Sequence, residues 1–332
     1  MTTENSGISK GKLYSAAVLF TLSIGFSFYG IKMCVPYADT LTILSYRYIS
    51  ALIGVLIWVA VAKSMGRYPE SKPGRPKKML YVTAMFYILF MVLQVLAMFF
   101  ATSIEGAIVF AMVPIFAQII GRIILGEKAT ALQTVFVIMT VFALIVLIIL
   151  NATDIDLNIT GIVMMTIASL FMAFQNVAAR YVRGVFAPIE ITYTISVGGT
   201  AIFVGAAVIR AIASGTVRPL IEPLFHAEFV IWVLFLGIFC ILLSAQFMAL
   251  MLANMKIIQC TVFNSASTLV SIIAGALLLG EPLVWYHYVC GAIILMGVIG
   301  LSVAPSKSEN AGKTLMDKMN DERRDRCLYL NR

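Results

Sequence analysis

Few side chains in this 332-residue sequence are equipped for chemistry, and most of those stand inside long apolar runs. Three are charged: Lys32, Arg47 and Glu105. A second set is polar but uncharged: Gln94, Gln118, Gln175, Asn176 and Gln246, with Asn264, Ser265, Ser267 and Thr268 crowded into five residues. In an apolar medium each such group needs a partner on another helix, a water-lined cavity or a bound solute. Arg47 and Lys32 suit a substrate carboxylate or the gating of a vestibule, with Glu105 beside them. Structural roles compete: Lys32 can snorkel to an interface, and Arg47 can pair with a helix end or with Glu105. Asn264, Ser267 and Thr268 share one helix face at i, i+3 and i+4, so this cluster is the leading substrate-binding candidate. Gln94, Gln175, Asn176, Tyr46, Phe110 and Tyr193 complete the set of amides and aromatics expected to bind an amphipathic solute. Pro114 lacks an N–H and is expected to kink its helix and free a carbonyl nearby.

Other chemistries leave no trace. There is no G-x-x-x-x-G-K-[ST] phosphate loop and no G-x-S-x-G nucleophile turn. His226 and His287 stand alone, and the five cysteines show no C-x-x-C spacing. No convergent acid, base and nucleophile set is visible, so an enzyme is not expected, and neither a cofactor nor a metal is implied.

The elements that position these residues follow from composition. Apolar residues make up 61% and charged residues 12%, against roughly 45–50% and about 25% in soluble domains. Ten apolar segments can be drawn: 13–33, 40–62, 79–101, 104–125, 130–150, 159–182, 188–212, 227–252, 256–279 and 283–304. Each is close to the length of about 20 residues that spans a bilayer. The net charge of +8 is read as a topology signal, not a nucleic-acid footprint. With the N-terminus inside, Lys10, Lys12, the basic loop 63–78, Lys128, Arg180, Arg183, Lys256 and the tail all face the cytoplasm, while Arg210, Arg218 and the acidic loop of Asp154 and Asp156 face outward.

One stretch occurs twice: I-I-G-R-I-I-L-G-E at Ile119–Glu127 and I-A-G-A-L-L-L-G-E at Ile273–Glu281. Five spans per copy give the second half the opposite orientation, an inverted repeat. The fold expected is therefore an all-α integral membrane protein of ten transmembrane helices in two inverted-topology five-helix repeats, 13–150 and 159–304. Residues 1–12 and 305–332 flank them as cytoplasmic segments. Each Gly-Glu pair is expected to be a corner, glycine ending one helix and the carboxylate capping the next.

This arrangement resembles the drug/metabolite transporter (DMT) superfamily and its EamA-like branch. Ile24–Lys32, I-G-F-S-F-Y-G-I-K, is similar to that family's W-G-x-x-F-x-x-x-K, with Ile24 in place of the tryptophan. Tyr46-Arg47-Tyr48 matches its aromatic-arginine position and Pro114 its proline in the fourth span. The second half departs, with Thr268 where the proline would map and Ile195 where the arginine would. The resemblance implies a secondary carrier in the cell membrane, an exporter of amino acids or similar small metabolites, working by alternating access through a central cavity. Sugars, nucleotide-sugars or quaternary amines are alternative cargoes, and a non-transport membrane assembly protein is the alternative class. Expected partners are a small-molecule substrate and the lipid bilayer, with no nucleic acid, in a monomer or homodimer.

Overall fold

Long runs of Leu, Ile, Val and Phe cannot leave backbone amides unpaired outside water, so each run closes its hydrogen bonds within itself as a helix. The computed structural model describes residues 10–66, 68, 77–125, 130–153, 159–183, 185–255 and 257–303, and no strand occurs among them. The order is α1 (Lys10–Gly25), α2 (Ser27–Cys34), α3 (Thr40–Ser64), α4 (Lys78–Ala97), α5 (Ser103–Phe110), α6 (Val113–Leu125), α7 (Ala131–Thr153), α8 (Ile159–Val182) and α9 (Pro188–Ser214). Then come α10 (Arg218–Ile221), a 3-10 turn (Glu222–Phe225), α11 (Ala227–Leu234), a π-helical segment (Phe235–Leu243), α12 (Ser244–Asn254), α13 (Ile257–Leu278) and α14 (Trp285–Val303). Among the described residues seven helices are long and apolar enough to cross a membrane, and Ala131–Leu147, Val262–Leu278 and Trp285–Gly300 are shorter apolar helices. The chain is an all-helical, multi-span membrane protein. Arg67, Lys72, Arg75, Gly126-Glu127, Lys128, Asp154, Asp156, Lys256 and the tail from residue 304 lie outside the described residues.

Three apolar runs that read as single helices are interrupted. The first breaks at Phe26, between α1 and α2. Gly25 makes the break possible by close approach: a Cβ there would sit 2.5 Å from Val270 Cγ1 and 3.2 Å from the Ser267 carbonyl. The carbonyls around it are taken by the C-terminal half. Ser271 Oγ donates to Gly25 O at 2.5 Å and Cys240 Sγ to Ser23 O at 3.0 Å. The fourth run breaks at 111–112, just before Pro114, whose missing N–H cannot continue the ladder. The eighth run widens into the π-helical segment, a distortion that recurs at functional sites.

Tyr37, Glu228 and Glu281 mark one rim, called the upper rim here, and Ser64, Lys78 and Pro188 the lower. At the upper rim the two halves close on each other, α2 against α11 and α13, and α5 against α13. Near the lower rim the halves also meet, α6 packing chiefly on α8 and α12 chiefly on α1.

Candidate functional site

Arg47 is the charge this fold has to account for. It lies on α3 and is 1% exposed. Its Nε and Nη1 have no hydrogen-bond partner, and among the described residues no carboxylate forms an ion pair with it. Its backbone is held from two sides. Gly237 of the π-helical segment packs directly on it, since a Cβ there would overlap Ser50 Oγ and stand 2.5 Å from Arg47 O. Ser50 Oγ donates to Arg47 O at 2.9 Å and to Val233 O at 3.1 Å. On the other side the Tyr48 ring lies against Gly199, and Thr200 Oγ1 donates to Tyr48 O at 3.1 Å. Cys34, Tyr48, Tyr87 and Cys240 are within electrostatic reach of the guanidinium. All four are neutral groups. The arrangement can therefore receive an anion through charge-assisted N–H bonds, which a guanidinium offers to a carboxylate as a planar fork.

An unpartnered acceptor lies on α4. Gln94 is buried with its Oε1 unpartnered. It lies seven residues after Tyr87 on α4, two turns along the same face. Between them Phe90 stacks on Phe110 at 5.7 Å, and Phe110 meets Phe28 edge-on, also at 5.7 Å.

At the upper rim two carboxylates converge on the start of α5. Thr102 and Glu105 form a capping box, with Glu105 N donating to Thr102 Oγ1 at 3.1 Å and Thr102 N to Glu105 Oε2 at 2.8 Å. The second carboxylate is Glu281. It accepts from Ser103 N at 2.8 Å, Ser103 Oγ at 2.6 Å and Ile104 N at 3.1 Å. This corrects the expectation for the corner. Gly280, at φ +64, does end α13, as a residue without a Cβ is suited to do. The carboxylate, however, caps α5 from the opposite half and not the helix that follows. The physical reason is the other glycine of the motif: a Cβ on Gly275 would overlap Ser103 Oγ and stand 2.7 Å from Glu281 Oε2. Its absence lets α5 approach closely enough to be capped. Lys32 feels both Glu281 and Glu105 electrostatically. Arg47 does not pair with Glu105.

Comparison with known proteins fits this architecture. The family model described as "EamA-like transporter family" matches residues 11–149 and again 159–303. The chain belongs to the EamA-like transporter family. Among its relatives is the uncharacterized transporter YcxC of Bacillus subtilis (strain 168), 27% identical over 296 residues, covering 87% of this chain and 92% of the relative. A solved crystal structure titled only "Crystal structure of protein" shares the fold, with a TM-score of 0.59 at 12% identity over 88% of this chain and 98% of that one. This EamA-like chain is thus a membrane transporter.

The other candidate residues are distributed unevenly. Ser267 and Thr268 are buried and Asn264 is half-buried on α13. Ser267 Oγ donates to its own helix, at Asn264 O, 2.6 Å. The neighbouring face of α13, with Val270 and Ser271, forms the seam with α1. Gln175 is buried and Asn176 half-buried on α8, which lies along α4. Pro114 is half-buried at the start of α6. Tyr46 OH is committed to Leu220 O at 2.7 Å. Tyr193 is 42% exposed and does not join the Arg47 group. A groove of about 470 Å³ between α13 and α14 includes Leu269, Ile273, Leu277 and Tyr288, all exposed, and none of the candidates. Sequence reasoning missed Asp39, Arg210, Tyr37 and Glu228, which bridge the halves at the upper rim. Their only signal was position, beside the ends of apolar runs.

Proposed function

We propose that this EamA-like chain is a secondary transporter that exports amino acids or similar small metabolites across the cytoplasmic membrane. In this reading it has ten spans in two inverted five-helix repeats, 13–150 and 159–304, with both termini and the lower rim cytoplasmic. Alternating access exposes a central site to each side in turn. Arg47 binds the substrate carboxylate, and Gln94 accepts from its ammonium group. Phe110 and Phe28 pack on its apolar part, with Gln175, Asn176, Asn264 and Thr268 lining the path.

The observation that carries this is the buried guanidinium without a partner. An unpaired ion taken out of water costs several kcal/mol even after relaxation. Such a group is retained where a ligand completes it. A buried arginine that served only packing would be paired with a carboxylate.

The test compares each amino acid with the amine that lacks its carboxylate, in a thermal-shift screen of purified protein. A ligand that binds only the folded state raises its apparent stability. Amino acids should stabilise and the matching amines should not. Arg47→Gln should weaken carboxylate binding about a hundredfold, from the 2–5 kcal/mol typical of a truncated buried charge pair. Because it removes an unpaired charge, that variant should fold at least as stably as the parent. Equal shifts from acid and amine, or undiminished binding by Arg47→Gln, would defeat the assignment.

A further inference from the structure

Besides the Glu281 cap, the upper rim carries three further polar contacts that each join the N-terminal half to the C-terminal half. Arg210, at the end of α9, pairs with Asp39, the residue that precedes α3. Arg210 Nη2 also donates to Thr42 Oγ1 at 2.9 Å, and Thr42 Oγ1 donates to Asp39 Oδ1 at 2.5 Å. Tyr37 OH donates to Glu228 Oε2 at 2.6 Å, and the Tyr37 ring lies 4.6 Å from that of His226. Tyr46 OH donates to the Leu220 carbonyl, tying α3 to the segment between α9 and α11. Beneath them Tyr29 meets Trp232 at 4.8 Å and Tyr46 meets Phe229 at 5.9 Å. Directly below Tyr37 lies Cys34, whose carbonyl accepts from Tyr37 N and Ala38 N and whose thiol is fully buried near Arg47.

These contacts join the halves on the side of the Arg47 site where Cys34 lies. They are also weak in the way a reversible closure requires: Arg210 and Asp39 are 35% and 48% exposed, and exposed ion pairs contribute little each. A permanent join would be buried, as at the seam of α1 and α13.

We propose that Asp39–Arg210 and Tyr37–Glu228 are a two-point latch that holds the upper face shut, and that both must release before the Arg47 site opens to that side. This inference rests on the alternating-access reading above but not on the identity of the cargo.

Cys34 provides the readout. In a chain carrying Cys240→Ser, Cys260→Ala, Cys290→Ala and Cys327→Ser, Cys34 is the one thiol left of five. Intact cells are treated from outside with a membrane-impermeant maleimide. Labelling should be slow with the latch intact and about tenfold faster in Arg210→Gln with Tyr37→Phe, two contacts each worth a few-fold. Exchanging the charges, Asp39→Arg with Arg210→Asp, should restore most of the protection. A second measurement needs no latch variant. High salt screens an exposed pair, so labelling should quicken with NaCl relative to free cysteine. Unchanged labelling in the released variant, with normal elution on size exclusion, overturns the latch. So does a rise seen only in inverted vesicles, which would put the latch on the wrong face. No substrate enters the assay, so the latch can fail while carboxylate recognition by Arg47 stands, and the reverse.

Discussion

Removing Glu281 tests whether the repeated motif is a cap across the two halves. Its carboxylate takes three donors from the start of α5, at 2.6 to 3.1 Å. Hydrogen bonds to a charged group contribute about 1.5–3 kcal/mol each when shielded. Glu281 is partly exposed, so about 1 kcal/mol each is the more suitable figure after screening. Glu281→Ala should therefore destabilise by about 3 kcal/mol, and Glu281→Gln, which keeps one neutral acceptor, by about half of that. Gly275→Ala attacks the same contact sterically, since its Cβ would overlap Ser103 Oγ and crowd Glu281 Oε2. The two changes remove one interaction, so their effects should fall short of additivity by more than about 1 kcal/mol. Denaturant unfolding in detergent reads this through Trp285, four residues beyond Glu281 and 65% exposed. Additive effects, or a Glu281→Ala cost below about 0.5 kcal/mol, would refute the cross-half cap and return the carboxylate to its own helix.

Other substitutions separate close approach from open space. Gly237→Ala should destabilise by 3 kcal/mol or more, on the order expected for overpacking, because its Cβ would collide with Ser50 and the Arg47 backbone; a folded variant that still binds ligand would contradict that packing. Gly205, mid-helix in α9, has nothing within 4 Å of a Cβ, so Gly205→Ala should stabilise by about 0.5–1 kcal/mol, read in the same unfolding experiment. The latch carries a pH signature. Burial pushes the Asp39 carboxyl up, but hydrogen bonds from Arg210 and Thr42 and the Arg210 charge hold it below the usual value. A depressed carboxylate contributes stability above its unfolded pKa and loses it only as pH falls through the lower folded one. The labelling difference at Cys34 between parent and Arg210→Gln should thus be level from about pH 8 to about pH 5 and shrink only in stronger acid. A difference that disappears near neutrality would exclude Asp39 as the partner.

What the sequence could show depends on how local each cause is. The helical segments and the break before Pro114 were legible because apolar run length and a missing N–H act within one segment. The break at Phe26 was not, although Gly25 and Ser27 flank it. Its carbonyls are satisfied by Ser271 and Cys240, more than 200 residues away. Arg47 stood out as a charge in an apolar run, but its lack of a partner is a statement about every neighbouring helix.

The sequence by itself determined that this is an all-helical membrane protein, the family it resembles, and the few polar side chains that need a reason to be buried. Burial cost and backbone satisfaction in an apolar medium are composition-level constraints, so one strand of text suffices. Tertiary structure decided the pairings. Capping and latching are made by short-range groups, and which groups come within 3 Å is set by how helices cross. Gly275 illustrates the difference: in the sequence it is a small residue before a corner, and in the fold it is the space through which Glu281 reaches the other half.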